Sequence, residues 1–315
     1  MKFWTKKTPL SLILCPFSLG YRIVVLLRRY LYGLSIFKIF YPSVPVITIG
    51  NITVGGTGKT PLVIFLANYL KTQGWHPGIV SRGYGGKANF WPQFVTSDSD
   101  PVLVGDEPVL IAKQTECPMA VSPNRSEAAQ KLLQKNACDI ILSDDGLQHY
   151  ALGRDIEIAV IDGERKFGNG FLLPAGPLRE PVSRLKSVDF VIINGTHMKL
   201  MPEKIYQIKN PTLFLNLAET HQNIHAVAGI GNPSRFFTTL KALGLSVTEH
   251  PFPDHYHFKP KDIDFGKDNL VIMTEKDAVK CQAFADERHW CLPIKAKVDE
   301  NFVRELIIKL KMRKK

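Results

Sequence analysis

The stretch VPVITIGNITVGGTGKTP, Val44 to Pro61, decides how the chain is read. Its first half, Val44 to Ile49, is short, apolar and rich in β-branched residues, the signature of a buried strand. Its second half packs Gly55, Gly56, Gly58, Lys59 and Thr60 just ahead of Pro61. Proline suits a first helical turn, where its missing N–H has no intrahelical acceptor. Beyond it, Leu62, Phe65, Leu66, Tyr69 and Leu70 share one helical face, and Gly74 stands where a C-terminal glycine belongs. Strand, glycine loop and helix in this order form a phosphate-binding loop. Amides and a helix N-terminus face the anion, Lys59 adds a point charge, and the Thr60 hydroxyl can meet Mg²⁺. Residues Thr53, Val54, Gly55, Gly56, Thr57, Gly58, Lys59 and Thr60 are therefore the candidate nucleotide contacts. Thr53 stands where the usual pattern has glycine. The bland alternative is a tight strand–helix turn.

Charge is distributed unevenly. No acidic residue precedes Asp98, and the eleven lysines and arginines ahead of it account for the net charge of +11. Such a surplus points to an anionic partner near the N-terminus: nucleic acid, a membrane surface or a phosphorylated substrate. The first 40 residues combine this charge with Leu10, Leu12, Ile13, Leu14, Phe17 and the apolar run Ile23 to Leu27. Arg22, Arg28 and Arg29 break the run before it reaches the roughly 20 residues of a spanning helix. No small-x-small cleavage site follows, which argues against a signal peptide. A basic, aromatic-rich interfacial helix near residues 17 to 35 fits best, with a helix buried against the domain as the alternative. The five cysteines, 15, 117, 138, 281 and 291, form no CxxC, as expected of a reducing compartment without a cysteine metal site.

Apolar strand-like runs at 44–49, 78–81, 119–122, 139–143, 156–162 and 189–194 alternate with helical patterns at 61–73, 106–115, 124–136 and 180–187. This implies an α/β fold, a mostly parallel sheet covered by helices on both faces, with ligands at the carboxyl ends of the strands. A second, smaller α/β unit begins near residue 212, with strands expected at 225–231, 269–274 and 290–294 and a helix from Pro233 to Gly244. The expected division is an N-terminal segment 1–40, a nucleotide-binding unit 41–212 and a smaller unit 213–298. A last helix, 299–315, is free to return to the first unit.

Several motifs carry chemistry. DIILSDDGLQH, Asp139 to His149, is a strand ending in two carboxylates. In a protein with a phosphate-binding loop such a strand end holds Mg²⁺, so Asp144 and Asp145 join Thr60 as metal candidates; an Asp-capped turn is the alternative. Arg82 in SRGYGG, 81–86, could meet phosphate and Tyr84 could stack on a base or sugar. Asp106 and Glu107 in GDEP, 105–108, suit a helix start equally well as a catalytic base or metal contact. FPDHYHF, 252–258, groups Asp254, His255 and His257 among aromatics without a zinc spacing. LLPAGPLREP, 172–181, is a stiff loop carrying Arg179 and Glu180.

Together these stretches resemble the tetraacyldisaccharide 4′-kinase (lipid A 4′-kinase) family. The resemblance is carried, in the family's order, by PVITIGN (45–51), VGGTGKTP (54–61), SRGY (81–84) and GDEP (105–108). DDGLQH (144–149), LLPAGPLREP (172–181), FPDHY (252–256) and TEKD (274–277) continue it. The family tolerates a residue other than glycine at the position of Thr53. The resemblance implies a kinase-like fold around the phosphate-binding loop and a membrane-associated N-terminal helix. It implies ATP and Mg²⁺ as cofactors and phosphorylation of the 4′-hydroxyl of a tetra-acylated glucosamine disaccharide 1-phosphate. It places the enzyme peripherally on the inner membrane of a Gram-negative-type bacterium, with its site on the cytoplasmic face, no nucleic acid and no obligate protein partner. Carried over by residue, Lys59 holds the β- and γ-phosphates, and Thr60, Asp144 and Asp145 serve the metal. Asp106 and His255 form the pair that activates the sugar hydroxyl, assembled when the two units close on substrate. Glu107, Arg125, His149 and Arg179 are substrate-side candidates. Two other classes share the loop: a switch ATPase or GTPase of the metallochaperone or partition type, and a nucleotide-binding module that docks nucleic acid. TEKD mimics the guanine-reading N-K-x-D pattern too weakly to indicate GTP.

Overall fold

The computed structural model describes residues 2–217 and 223–313. Helices α1 (Pro9–Ile13) and α2 (Cys15–Gly33) lead into a large unit. Its strands are β1 (Val46–Gly50), β2 (Pro77–Ser81), β3 (Gln93–Val95), β4 (Met119–Val121), β5 (Ile140–Ser143), β6 (Ile156–Asp162), β7 (Phe190–Asn194) and β8 (Met198–Pro202). Its helices are α3 (Lys59–Thr72), α4 (Pro101–Val104), α5 (Asp106–Thr115) and α6 (Arg125–Lys135). The chain then builds β9 (Tyr206–Gln207), β10 (Ile224–Ala228), α7 (Pro233–Ala242), β11 (Val247–Pro251), β12 (Leu270–Thr274), α8 (Glu275–Cys281) and β13 (His289–Leu292). It closes with β14 (Ile294–Val298) and α9 (Glu300–Arg313). Lys314 and Lys315, the end of the expected last helix, lie outside the described residues.

Nine strands order as β14-β8-β7-β6-β1-β5-β2-β4-β3, and five as β11-β10-β12-β13-β9. Strand β1 runs parallel to both β5 and β6 in the middle of the large sheet. Every residue of β1 is buried, which is why its sequence is a continuous apolar run without alternation. Leu62, Val63, Leu66 and Leu70 of α3 cover one face together with Phe302, Val303, Leu306 and Leu310 of α9. Ala128, Ala129 and Leu132 of α6 cover the other. Fully burying side chains such as Ile47, Ile49 and Leu66 contributes about 1.5–3 kcal/mol each. The predicted parallel sheet with helices on both faces is present.

The structure departs from the sequence reading in informative places. Helix α3 starts at Lys59, two residues before Pro61. Proline is accepted there because the first four N–H groups of a helix have no partner to lose. The expected helix at 180–187 is a 3-10 helix, Val182–Ser187. The apolar run 290–294 is two strands, split at Pro293: β13 pairs with β12 in the small sheet, and β14 pairs with β8 in the large one. Proline cannot donate to a ladder, so it marks the point at which the chain changes sheets. Helix α8 follows the small sheet's β12, yet its Val279 is buried in the large core.

Helix α2 occupies the expected N-terminal position. Ser18 is its only buried residue among those described. Phe17, Ile23, Val24 and Tyr30 are each more than 60% exposed. No helix among the described residues is long and apolar enough to cross a membrane. Polar contacts fasten the other side of α2 to the 172–187 segment. Ser18 Oγ donates to the Leu172 carbonyl at 2.8 Å, the Tyr21 hydroxyl to the Arg179 carbonyl at 3.2 Å, and Arg29 to Ser187 Oγ at 3.0 Å.

Candidate active site

The phosphate-binding loop is held from behind. Asn51 Nδ2 donates to the Gly55 carbonyl at 3.3 Å, Asn194 Nδ2 to the Thr57 carbonyl at 3.3 Å, and Arg165 to the Gly56 carbonyl. With the carbonyls drawn outward, no group among the described residues takes the N–H of Gly56, Thr57 or Gly58. That is the polarity an anion requires. Gly58 has φ +95°, and a Cβ there would lie 3.0 Å from both Asn194 Nδ2 and Met198 Cε, so the turn needs glycine. Thr53 departs from its expected role: it is buried, bridged to Leu178, and off the cleft lining. Its backbone secures the loop to the 172–181 segment, leaving Val54 to Thr60 as the lining residues.

Two aspartates follow β5 and separate by environment. Asp145 accepts Arg179 Nη1 at 2.9 and 3.1 Å and stands 3.5 Å from Lys59 Nζ. Burial pushes its carboxyl up, but Lys59 and Arg179 outweigh that and hold it at about 2. Asp144 is 2% exposed. One of its oxygens accepts the Ser81 hydroxyl at 3.0 Å; the other, Oδ1, has no partner. Burial, then Glu107 and Asp145, push Asp144 up to about 7. An orphaned buried carboxylate oxygen in the cleft that Thr60 also lines fits a small divalent cation. Asp145, with both oxygens taken, fits that role less well than expected; here it anchors Lys59 and Arg179. No group of three or more His, Cys, Asp or Glu among the described residues forms a cage. This suits Mg²⁺, which takes most of its ligands from water and phosphate.

Asp106 opens α5 and His255 lies on the loop after β11, at φ +58°. His255 Nδ1 is 3.1 and 3.2 Å from the two Asp106 oxygens, so the two side chains form a pair across the two units. Burial raises the Asp106 carboxyl; the His255 hydrogen bond and the charges of Lys276 and Lys280 outweigh it and bring it to about 2. The same hydrogen bond raises His255, against its burial. With Asp106 ionised, Nδ1 carries the ring proton and Nε2 is left as the acceptor. The Tyr84 ring tilts over His255 at 5.0 Å.

The loop, Asp144, Asp145, Tyr84 and His255 line one cleft of about 990 Å³, and Asp106 reaches it through its contact with His255. Lys276 lines it as well, together with Tyr21, Val25 and Arg28 of α2.

Residues 10–311 match the family model for tetraacyldisaccharide-1-P 4′-kinases. The chain belongs to this family. Curated relatives named tetraacyldisaccharide 4′-kinase include one from Coxiella burnetii, 53% identical over 303 residues and covering 96% of this chain and 92% of the relative. Another, from Methylobacillus flagellatus, is 53% identical over 316 residues, covering 98% and 94%. Among solved structures, the "apo" form of LpxK from Aquifex aeolicus in complex with ATP superposes with a TM-score of 0.81. It is 29% identical and covers 96% of this chain and 99% of that one.

In this 4′-kinase family member the remaining candidates all line the cleft. Arg125 is buried and donates to the Asp145 carbonyl at 2.8 Å, while its Nε has no partner. His149 Nε2 is buried without a partner; burial, then Arg125 and Arg154, hold the ring down to about 3, so it is neutral. Glu107 is engaged by Lys276 Nζ at 2.8 Å. Sequence reasoning missed Lys276 and Lys280, although TEKD lay in view; nothing in that stretch alone says which unit α8 faces. It also missed Asn51, Asn194 and Arg165, whose work is done through carbonyls that no sequence pattern names.

Proposed function

We propose that the chain transfers the γ-phosphate of ATP to the 4′-hydroxyl of a tetra-acylated glucosamine disaccharide 1-phosphate. The observation that carries this reading is the meeting, within one cleft, of a phosphate-binding loop, the His255 ring of an Asp–His pair and the apolar N-terminal helix of a 4′-kinase family member. ATP lays its phosphates on the Gly55–Thr60 amides, with Lys59 on the β- and γ-oxygens. Thr60 and Asp144 would hold Mg²⁺, which when bound neutralises charge on the phosphate oxygens. His255 Nε2 accepts the hydroxyl proton as the sugar oxygen bonds to the γ-phosphorus and the bond to the β-phosphate oxygen breaks, releasing ADP. Asp106 keeps the ring oriented and stabilises its protonated form. Arg125, His149 and Arg179 stand on the acceptor side, where a neutral imidazole and two guanidiniums can meet hydroxyl and phosphate groups. Incubation with γ-labelled ATP and detergent-dispersed acceptor should move label into the lipid; label appearing only as inorganic phosphate would instead support a switch ATPase.

The lipid would reach the cleft from a bilayer on which α1 and α2 rest. Exposed Phe17, Ile23 and Val24 provide the apolar face, and Arg22, Arg28 and Arg29 the charge for an anionic surface. Phe17→Glu and Ile23→Glu should each weaken co-sedimentation with anionic vesicles by roughly tenfold or more, since each removes about 1.5–3 kcal/mol of apolar burial. Turnover on a short-chain soluble acceptor should be unaffected. Unchanged vesicle binding in the double variant would rule out this docking surface.

A further inference from the structure

Helix α8 presents two lysines, one turn apart, to the two acids that open α5. Lys276 meets Glu107 at 2.8 Å and Asp254 at 3.7 Å. Lys280 is deeper, 7% exposed, with its Nζ 2.7 Å from Asp277 Oδ1 and 3.8 Å from Asp106 Oδ2. The Phe258 ring lies 5.0 Å from this ammonium. Asp277 is fully buried, and its other oxygen accepts the Gly229 N–H at 2.9 Å and the Thr274 hydroxyl at 2.6 Å. Contacts therefore run from His255 through Asp106, Lys280 and Asp277 to Gly229, where β10 ends. The next residues of that turn, Ile230 to Asn232, line the cleft.

We propose that Lys280 is a positioning residue for phosphoryl transfer: its buried ammonium holds Asp106 ionised and in place, so that Asp106 fixes the ring of His255. The inference rests on the Asp106–His255 reading above. Three observations carry it. Desolvating an ammonium is costly, and an i,i+3 pair with Asp277 alone would be as well served at the surface. Lys280 Nζ makes no aligned hydrogen bond, so what it supplies is charge more than a directed contact. That charge stands between carboxylates of different units: Asp106 of the pair, and Asp277 of α8, which holds the Gly229 N–H at the start of the turn that lines the cleft. The charged groups around Asp106 are His255 and Asp254 from the β11 loop, Lys276, Lys280 and Asp277 from α8, and Glu107 from α5. Removing Lys280 leaves this set with one cation fewer. The His255 ring then protonates more readily and is blocked as an acceptor to higher pH.

The test uses Lys280→Met and the charge-balanced double variant Lys280→Met/Asp277→Asn in the full-length protein, with His255→Ala alongside. The double variant guards against misfolding from an unpaired Asp277. Both Lys280 variants should lose about 10- to 100-fold in kcat, within the range of a general-base contribution. Their KM for ATP should stay within about twofold, because Lys280 is not among the groups lining the phosphate cleft. The acid limb of their pH–rate profiles should move up by about one unit. A folded double variant with wild-type kcat and an unmoved limb overturns the inference. So does a lower kcat with an unmoved limb, which would make Lys280 merely structural. If His255→Ala is inactive while the Lys280 variants are normal, this inference alone fails; if His255→Ala is fully active, the pair and the inference fail together.

Discussion

Lys59→Ala is expected to lower kcat by about a thousandfold, the scale of losing one preorganised charge on a phosphoryl group in flight. Lys59 is the first residue of α3, its side chain is 12% exposed, and it lines the cleft with the loop whose amides are open. Its present neighbour is Asp145 at 3.5 Å, and Asp145 keeps Arg179 when Lys59 is gone. No buried charge is left unpaired, so the variant should fold with a melting temperature near that of the parent. The loss should therefore appear in turnover and in nucleotide affinity, and remain in a thermally normal protein. A Lys59→Ala protein with turnover within tenfold of the parent would remove the loop from the reaction.

The second large effect belongs to the pair. His255→Ala and Asp106→Ala should each cost about 10²–10⁴ in kcat with ATP affinity little changed, because general-base catalysis acts on the acceptor hydroxyl and leaves the nucleotide's contacts alone. The pH profile separates this role from a structural one. The His255 ring must be neutral to take a proton, and its pKa is raised above the usual 6.5 by its bond to Asp106, so the parent's acid limb should lie above 6.5. Stability carries the opposite sign. Asp106 is depressed to about 2, so its contribution to joining the two units is present above about pH 4 and is lost as pH falls through 2. The raised His255 contributes fully below 6.5, and its contribution is lost as pH rises through its folded value. The joint should be tightest between those limits, on the acid side of the activity optimum. Turnover within threefold of the parent in both alanine variants would discard the pair.

The parallel core of the large sheet is legible in the sequence because its strands are buried on both faces and read as unbroken apolar runs. β3, β8 and β11 are not, since Gln93–Val95, Met198–Pro202 and Val247–Pro251 are short and partly exposed. Their pairing is imposed by neighbours, which a local pattern cannot encode. The Pro293 break is visible as a residue but not as a change of sheet. In the site, Lys59, Asp144, Asp106 and His255 are readable as types in context. That Asp145 pairs with Arg179 across 34 residues, and that α8 turns its lysines toward α5, depends on long-range packing and emerges only in three dimensions. The tie that α8 makes between the two units through Lys276, Lys280 and Val279 is likewise set by long-range packing.

The crossing at Pro293 has one more implication. Pro202 at the end of β8 and Ile294 at the start of β14 are direct partners in an antiparallel ladder. The polypeptide thus leaves the large sheet and re-enters it at the same spot, and all five smaller strands hang from one edge ribbon by twin tethers. With α8 clasped against α5 through Lys276 and Lys280, the appendage is held at two places, the ribbon and the clasp. Were it cut out, a turn of a few residues would reseal the gap, so the nucleotide cradle and the proton acceptor arrive as host and graft within a single gene product.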